Sequence, residues 1–234
     1  MNPSLIGTLI VGGLATVEST PVAQTKASQP LVTATLLGVI WGDWATAMAV
    51  GTVLQILAAS ALPIGARSPE DYAVGGVAGA GAALVIASQA PFEHVRQAAA
   101  LAGVLVGLTA ATLGDPLVRW QRRRNEGLAR WCEAGLRAGD ESVLGRANLA
   151  AITLAFAIGL ASVALWLGLG AWLAPHVGRE SLRLASAWHL LQPLWLGFGF
   201  AQLLNAFVQR RLARAGVFAA ALVGAWLSIV MGAP

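Results

Sequence analysis

Apolar residues fall in long blocks separated by short polar interruptions: Leu5 to Val17, Leu31 to Ile40, Ala45 to Leu62, Ala73 to Ala90, Ala98 to Leu113, Leu149 to Leu173, Leu184 to Val208 and Val217 to Val230. The blocks show no strand-like alternation, so a barrel is excluded and helices are predicted. Crossing about 30 Å of hydrocarbon takes about 20 residues of helix. The first two blocks are shorter than that, and the polar stretch Glu18 to Gln29 lies between them. A broken or hairpin element near the N-terminus is therefore predicted, with fuller spans behind it.

Composition makes the membrane reading firm. Of 234 residues, 57% are hydrophobic and 11% charged, and the mean hydropathy is +0.69, whereas a soluble domain carries about 25% charged residues. The 27 glycines suit helices that approach closely in lipid through small residues. The predicted fold is all-α: a polytopic helical membrane protein with short or broken re-entrant helices near the N-terminus, forming a single integral membrane domain over residues 1–234. Met1 to Thr8 has no basic residue and no clear cleavage site follows, so the N-terminal segment is expected to be retained.

The net charge of +4 and a pI near 10.5 do not point to nucleic acid, because the basic residues flank apolar blocks instead of forming one patch. Positive-inside topology explains them. Arg119, Arg122, Arg123, Arg124, Arg130, Arg137 and Arg146, set against Glu126, Glu133, Asp140 and Glu141, mark a cytoplasmic segment at about 117–147. Leu128, Trp131, Cys132 and Leu136 recur there at helical spacing. They predict a short amphipathic helix on the inner leaflet, with a solvated loop as the alternative. Arg210, Arg211 and Arg214 should share that side, making the segments around Pro175 to Arg183 an up-and-down pair.

The stretch from Gln29 to Asp71 carries Pro30-Leu31, Thr35-Leu36, Gly38, Gly42-Asp43, Thr46, Gly51, Leu54, Ile64-Gly65-Ala66 and Asp71 in order without a gap. In this it resembles the IIC membrane subunit of the mannose/fructose/sorbose family of the bacterial phosphotransferase system. Beyond about residue 147 the likeness is one of hydropathy and spacing. The resemblance implies a permease subunit in the bacterial inner membrane that translocates a hexose-type sugar. Its implied partners are a IID-type membrane subunit, the soluble IIA and IIB phosphocarriers, the sugar and the bilayer, in an oligomeric assembly. This sequence departs from the family where an acid closes the glycine-rich helix, here Gln55, where a polar residue precedes Ile64, here Pro63, and in the run Thr25 to Ser28 before Pro30-Leu31. These departures keep open an alternative, a non-transporting regulatory or assembly protein on the same scaffold.

Candidate sugar-contacting residues are Gln55, Asp43, Gln24, Lys26 and Asp71. A neutral amide such as Gln55 both donates to and accepts from hydroxyls, although an interhelical hydrogen bond is its plainer role. Gln24 and Lys26 are costly in hydrocarbon unless they pair or face water. Asp43 precedes an apolar helix, where a carboxylate either caps free N–H groups or lines a polar cavity at a broken helix end. Asp71 stands with Arg67 and Glu70 in an ion-pair cluster or a pathway wall, and Glu18 is an interfacial charge or a substrate acceptor. The histidines, His94, His176 and His189, are far apart, and Cys132 stands alone, so no metal or cofactor is implied. No phosphate loop, nucleophile elbow or zinc helix occurs, and no catalytic residue is expected.

The arginine clusters generate a topology test. Cysteines introduced at positions 125 and 211 should both resist an impermeant thiol reagent in intact cells; efficient labelling of both from outside would invert the assignment.

Overall fold

The computed structural model describes residues 2–19, 22, 25–60, 71–89, 94–208, 210–213, 215–220 and 223. Seven helices are defined among them: α1 (Pro3–Ser19), α2 (Pro30–Trp41), α3 (Trp44–Ser60), α4 (Tyr72–Gln89), α5 (Val95–Arg137), α6 (Ser142–Arg179) and α7 (Ser181–Phe207). The described residues contain no strand. The all-α expectation holds, and so does the expectation of short helices at the start. α1, α2 and α3 have 17, 12 and 17 residues, about 25, 18 and 25 Å of helix against roughly 30 Å of hydrocarbon. α4, α5 and α6 are long and apolar enough to cross a membrane.

α4 lies at the centre. It packs on α1, α2, α3, α5 and α6, and every residue from Val74 to Ile86 is buried. Its four glycines serve different neighbours. A Cβ on Gly75 would sit 2.7 Å from the Gly107 carbonyl of α5, and one on Gly79 would sit 2.7 Å from the Gly103 carbonyl. Gly76 lies under Pro30 of α2, and Gly81 under Leu167 of α6 and Thr8 of α1. The α5 glycines are equally confined, with Gly103 against the Gly79 carbonyl at 2.6 Å and Gly107 against the Gly75 carbonyl at 2.8 Å. Two helices thus meet backbone to backbone through glycines spaced by four, an arrangement that gains dispersion contacts where lipid supplies no hydrophobic drive.

α2 and α3 form a tight antiparallel pair. Pro30 starts α2 with its fixed φ. Gly42 ends it in the left-handed region at φ 69°, with open space where a side chain would stand, so the backbone angle alone calls for glycine. Ser4 donates to the Ile40 carbonyl (3.3 Å) and the Trp41 indole to Thr8 Oγ1 (2.8 Å), tying the start of α1 to the end of α2.

The basic segment departs from its expected form. Instead of a separate helix, residues 117–137 continue α5 straight through Pro116. Arg, Leu, Ala and Glu there are strong helix formers, and a single proline inside a membrane helix is tolerated. The helix stops where Gly139 turns to φ 80°, with its N–H on the Leu136 carbonyl (3.0 Å) and the Asp140 N–H on Gly135 (3.0 Å). α6 then folds back with Val143 against Gly135. Asp140 secures the turn by accepting from the Ser142 hydroxyl (2.6 Å) and backbone N–H (3.1 Å) and by pairing with Arg146. The Ser142 hydroxyl foremost, with Arg146, holds the Asp140 carboxyl below the usual carboxylate range. The turn expected within Pro175 to Arg183 falls at Glu180, and α6 runs through Pro175 to reach it.

Direction follows from contacts. α3 starts beside Arg96 near the beginning of α5, its Leu54 meets Gly107, and its Ile56 meets Gly199 of α7. α7 therefore runs from the His94 end of the bundle toward the end where α5 becomes arginine-rich.

The glycine seam predicts opposite outcomes for one chemical change. Gly103→Ala should destabilise by about 1–3 kcal/mol, since the atom it meets is backbone and the helices must separate. Gly168→Ala, with open space around it, should be neutral or stabilising by up to about 1 kcal/mol. Thermal unfolding in detergent checks both.

Candidate functional site

The polar groups of the short helices gather at two places. The first is the α2–α3 turn at the His94 end. Asp43 caps α3, accepting from the Thr46 N–H (3.2 Å) and the Thr46 hydroxyl (2.7 Å). Arg96 of α5 approaches the same carboxylate at 3.5 Å, with its side chain two-thirds exposed. Such a pair is screened and weak, so the cap is the larger contribution. Arg96 carries no sequence signal of this role, because the contact joins residues far apart in the chain.

The second place lies where α1 ends and α2 begins. Glu18, in the last turn of α1, accepts from the Thr25 hydroxyl (3.0 Å) and from the Ser28 N–H (2.9 Å). It thereby stitches the connection onto the helix that precedes it. Lys26 sits exposed in that connection with φ 71°, a conformation that a non-glycine residue adopts at some cost. Shortly after it, α2 opens with N–H groups that lack intrahelical partners. Gln55 of α3 answers one of them, its Oε1 accepting from Leu31 N–H at 3.3 Å. That bond does not use the amide nitrogen, which remains a donor by its chemistry. Pro30 beside it rests on Gly76, so the beginning of α2 is inside the bundle and not at its surface; Pro30 itself is buried.

Asp71 begins α4 within two turns of Gly76. It accepts from Val74 N–H (3.1 Å), while its own N–H donates to the Ala111 carbonyl of α5 (3.0 Å). Its side chain lies over Gly114, where an added Cβ would come within 2.9 Å. Of the five sequence candidates, Gln55, Lys26 and Asp71 thus belong to the elements meeting around the start of α2. Asp43 stands at the opposite end of α3, and Gln24 lies outside the described residues, as do Pro63, Arg67 and Glu70. Ser28 entered the sequence reading only as the end of the run Thr25 to Ser28, and its bond to Glu18 carries no sequence signal. Among the described residues no cluster of three or more His, Cys, Asp or Glu side chains is placed to hold a metal ion.

Short apolar helices packed among longer helices of membrane-spanning length and composition define a polytopic integral membrane protein. The comparisons with known proteins make the class specific. The family model described as the PTS system sorbose-specific IIC component matches residues 4–224, and the chain belongs to that family. It is accordingly a membrane component of a phosphotransferase sugar-transport system. A solved structure described as "Structure of membrane protein" is similar over 97% of this chain and 96% of that one, with a TM-score of 0.64 and 16% identity, a likeness of fold alone. No curated protein matches the chain.

The Glu18 stitch is testable by itself. Glu18→Ala removes two hydrogen bonds to a carboxylate; discounted for partial exposure, the loss is about 1–2 kcal/mol, and opening of the connection rises roughly tenfold. Trypsin should then cut after the exposed Lys26 about ten times faster than in the parent chain. Asp43→Asn, at the other end of the bundle, should leave that cleavage rate unchanged.

Proposed function

We propose that the chain is the permease component that carries a hexose-type sugar across the bacterial inner membrane, while separate soluble IIA and IIB proteins phosphorylate it. A IID-type membrane subunit completes the assembly, and the chain itself performs no chemistry. The observation that carries this reading is the internal start of α2, where Pro30 rests on Gly76 and Leu31 N–H meets Gln55. A helix N-terminus inside the bundle offers N–H donors to a polar ligand and an amide whose partner can be exchanged for a hydroxyl. Sugar hydroxyls both donate and accept, which suits the same set of groups.

The Leu31 to Gln55 bond also favours a second reading, in which Gln55 serves the fold alone and the protein acts in regulation or assembly. One experiment separates the two. Gln55→Leu, expressed with IIA, IIB and IID partners in cells lacking other hexose uptake, should lower apparent sugar affinity about tenfold if hydroxyl contacts are lost. If the amide only bonds Leu31, the same variant should lose about 0.6 kcal/mol of stability and leave uptake untouched. Absence of hexose uptake by the parent chain with all partners present would overturn the permease reading.

A further inference from the structure

The first turn of α2 is confined on two sides by backbone. A Cβ added to Gly51 of α3 would sit 3.1 Å from the Pro30 carbonyl, and one added to Gly76 of α4 would sit 2.8 Å from the Pro30 Cα. Neither wall yields without parting packed helices. A hexose ring that is to reach Leu31 N–H and the Gln55 amide therefore needs room made elsewhere.

The third neighbour of this turn is of a different kind. Residues 25–29 lead directly into Pro30, and Thr25, Lys26, Ala27 and Gln29 are exposed, while Ser28 among them is buried. Hydrogen bonds tie this segment down: the Thr25 hydroxyl and Ser28 N–H donate to Glu18 of α1, and Gln29 N–H donates to the Lys26 carbonyl at 3.2 Å. Water can replace such bonds at an exposed edge, which keeps the difference between closed and open small. Lys26 is held at φ 71°, a conformation whose cost is relieved when the segment lets go. Because α1 runs toward the arginine-rich end, with Gly12 on Val163 and Thr16 on Gly159 of α6, the connection that follows it lies on that side of α2. The entry to α2 is thus fastened by acceptors on two helices, Ser28 N–H to Glu18 of α1 and, three residues on, Leu31 N–H to Gln55 of α3.

We propose that residues 25–29 form a strap, latched by Glu18, that closes the start of α2 toward the arginine-rich end of the bundle, and that a hexose occupies that start only with the strap released. The proposal rests on the permease reading and adds to it the element that moves. Linkage then fixes a sign that a purely structural role for Glu18 does not share. If hexose requires the released strap, a change that releases the strap raises hexose affinity by the same factor.

The full chain co-purified with its IID-type partner in detergent, with D-mannose, D-fructose and L-sorbose as probes, tests this through two readings on one sample. The first is equilibrium binding of labelled sugar; the second is tryptic cleavage after Lys26, referenced to cleavage after the exposed Arg137 of the hairpin. Saturating sugar should speed cleavage after Lys26 several-fold, up to the roughly tenfold that loss of the latch gives, and leave the reference unchanged. Glu18→Ala should bind the sugar up to about tenfold more tightly, and its cleavage should no longer respond to sugar. If Glu18 only stiffens the fold, that variant binds sugar no better than the parent, and this result overturns the proposal. So does sugar binding by the parent without faster cleavage after Lys26. Should Glu18→Ala not fold, Glu18→Gln decides in its place: it keeps an acceptor oxygen without the charge and must bind sugar more tightly than the parent. Failure of the parent to bind any of the three sugars removes the permease reading and the strap with it, whereas the other adverse results strike the strap alone.

Discussion

The contact on which the structure depends is the one between two backbones, Gly75 and Gly79 of α4 against Gly107 and Gly103 of α5. In lipid there is little to gain from moving an apolar side chain from hydrocarbon to another helix, so association rests on close packing and on hydrogen bonds. Glycine permits the shortest separation and places the most atoms within dispersion range. It also leaves α4 thin enough for five helices to reach it. Gly76 then receives Pro30, and Gly81 receives Leu167 and Thr8. A side chain at any of these positions would push out a different helix, which is why the glycines recur on all sides of α4 instead of in one stripe.

Short helices impose a second constraint. Each break inside the bundle leaves N–H and C=O groups that water cannot satisfy, and each such group left unpaired in an apolar setting costs several kcal/mol. The protein meets the requirement with side chains drawn from different elements. Thr46 N–H goes to Asp43, Val74 N–H to Asp71, Leu31 N–H to Gln55 and Ser28 N–H to Glu18. Three of the four acceptors are carboxylates, placed where the positive ends of helices or turns favour an anion. The fourth is a neutral amide, and it stands at the start of α2, where Pro30 is buried against Gly76.

How far these features could be read from sequence depended on whether the cause was local. The undersized blocks Leu5 to Val17 and Leu31 to Ile40 carried the short helices in their length alone. Gly42-Asp43 carried the α2–α3 turn, since both the left-handed residue and the cap are chemical types with a local preference. The continuation of α5 past Pro116 was not legible: proline reads as a stop in water, yet in a long helix the neighbouring turns keep the chain straight enough to proceed. Nor were the pairings of Arg96 with Asp43, or of Ser28 with Glu18, because each depends on how separate segments come together. The resemblance around Gln29 to Asp71 pointed to the correct family, but it is the packing on Gly76 that puts those residues beside α4.

The difference between the carboxylate caps and the Gln55 amide bears on how such a bundle could pass a polar solute. A hydrogen bond to a charged group contributes about 1.5–3 kcal/mol, against about 0.5–1.5 for a neutral one. Asp43 and Asp71 hold helix starts that a transport cycle would need to keep rigid, and replacing their N–H donors with a neutral hydroxyl would be uphill. Gln55 and Leu31 share a neutral bond, whose exchange for bonds to a hydroxyl is close to isoenergetic because the number and kind of bonds are conserved. On the permease reading, a sugar entering at the start of α2 therefore meets one site where bonds can be swapped, between others where they cannot. An acid at position 55 would hold Leu31 N–H more firmly, so on the same reading the neutral amide is what keeps that bond exchangeable.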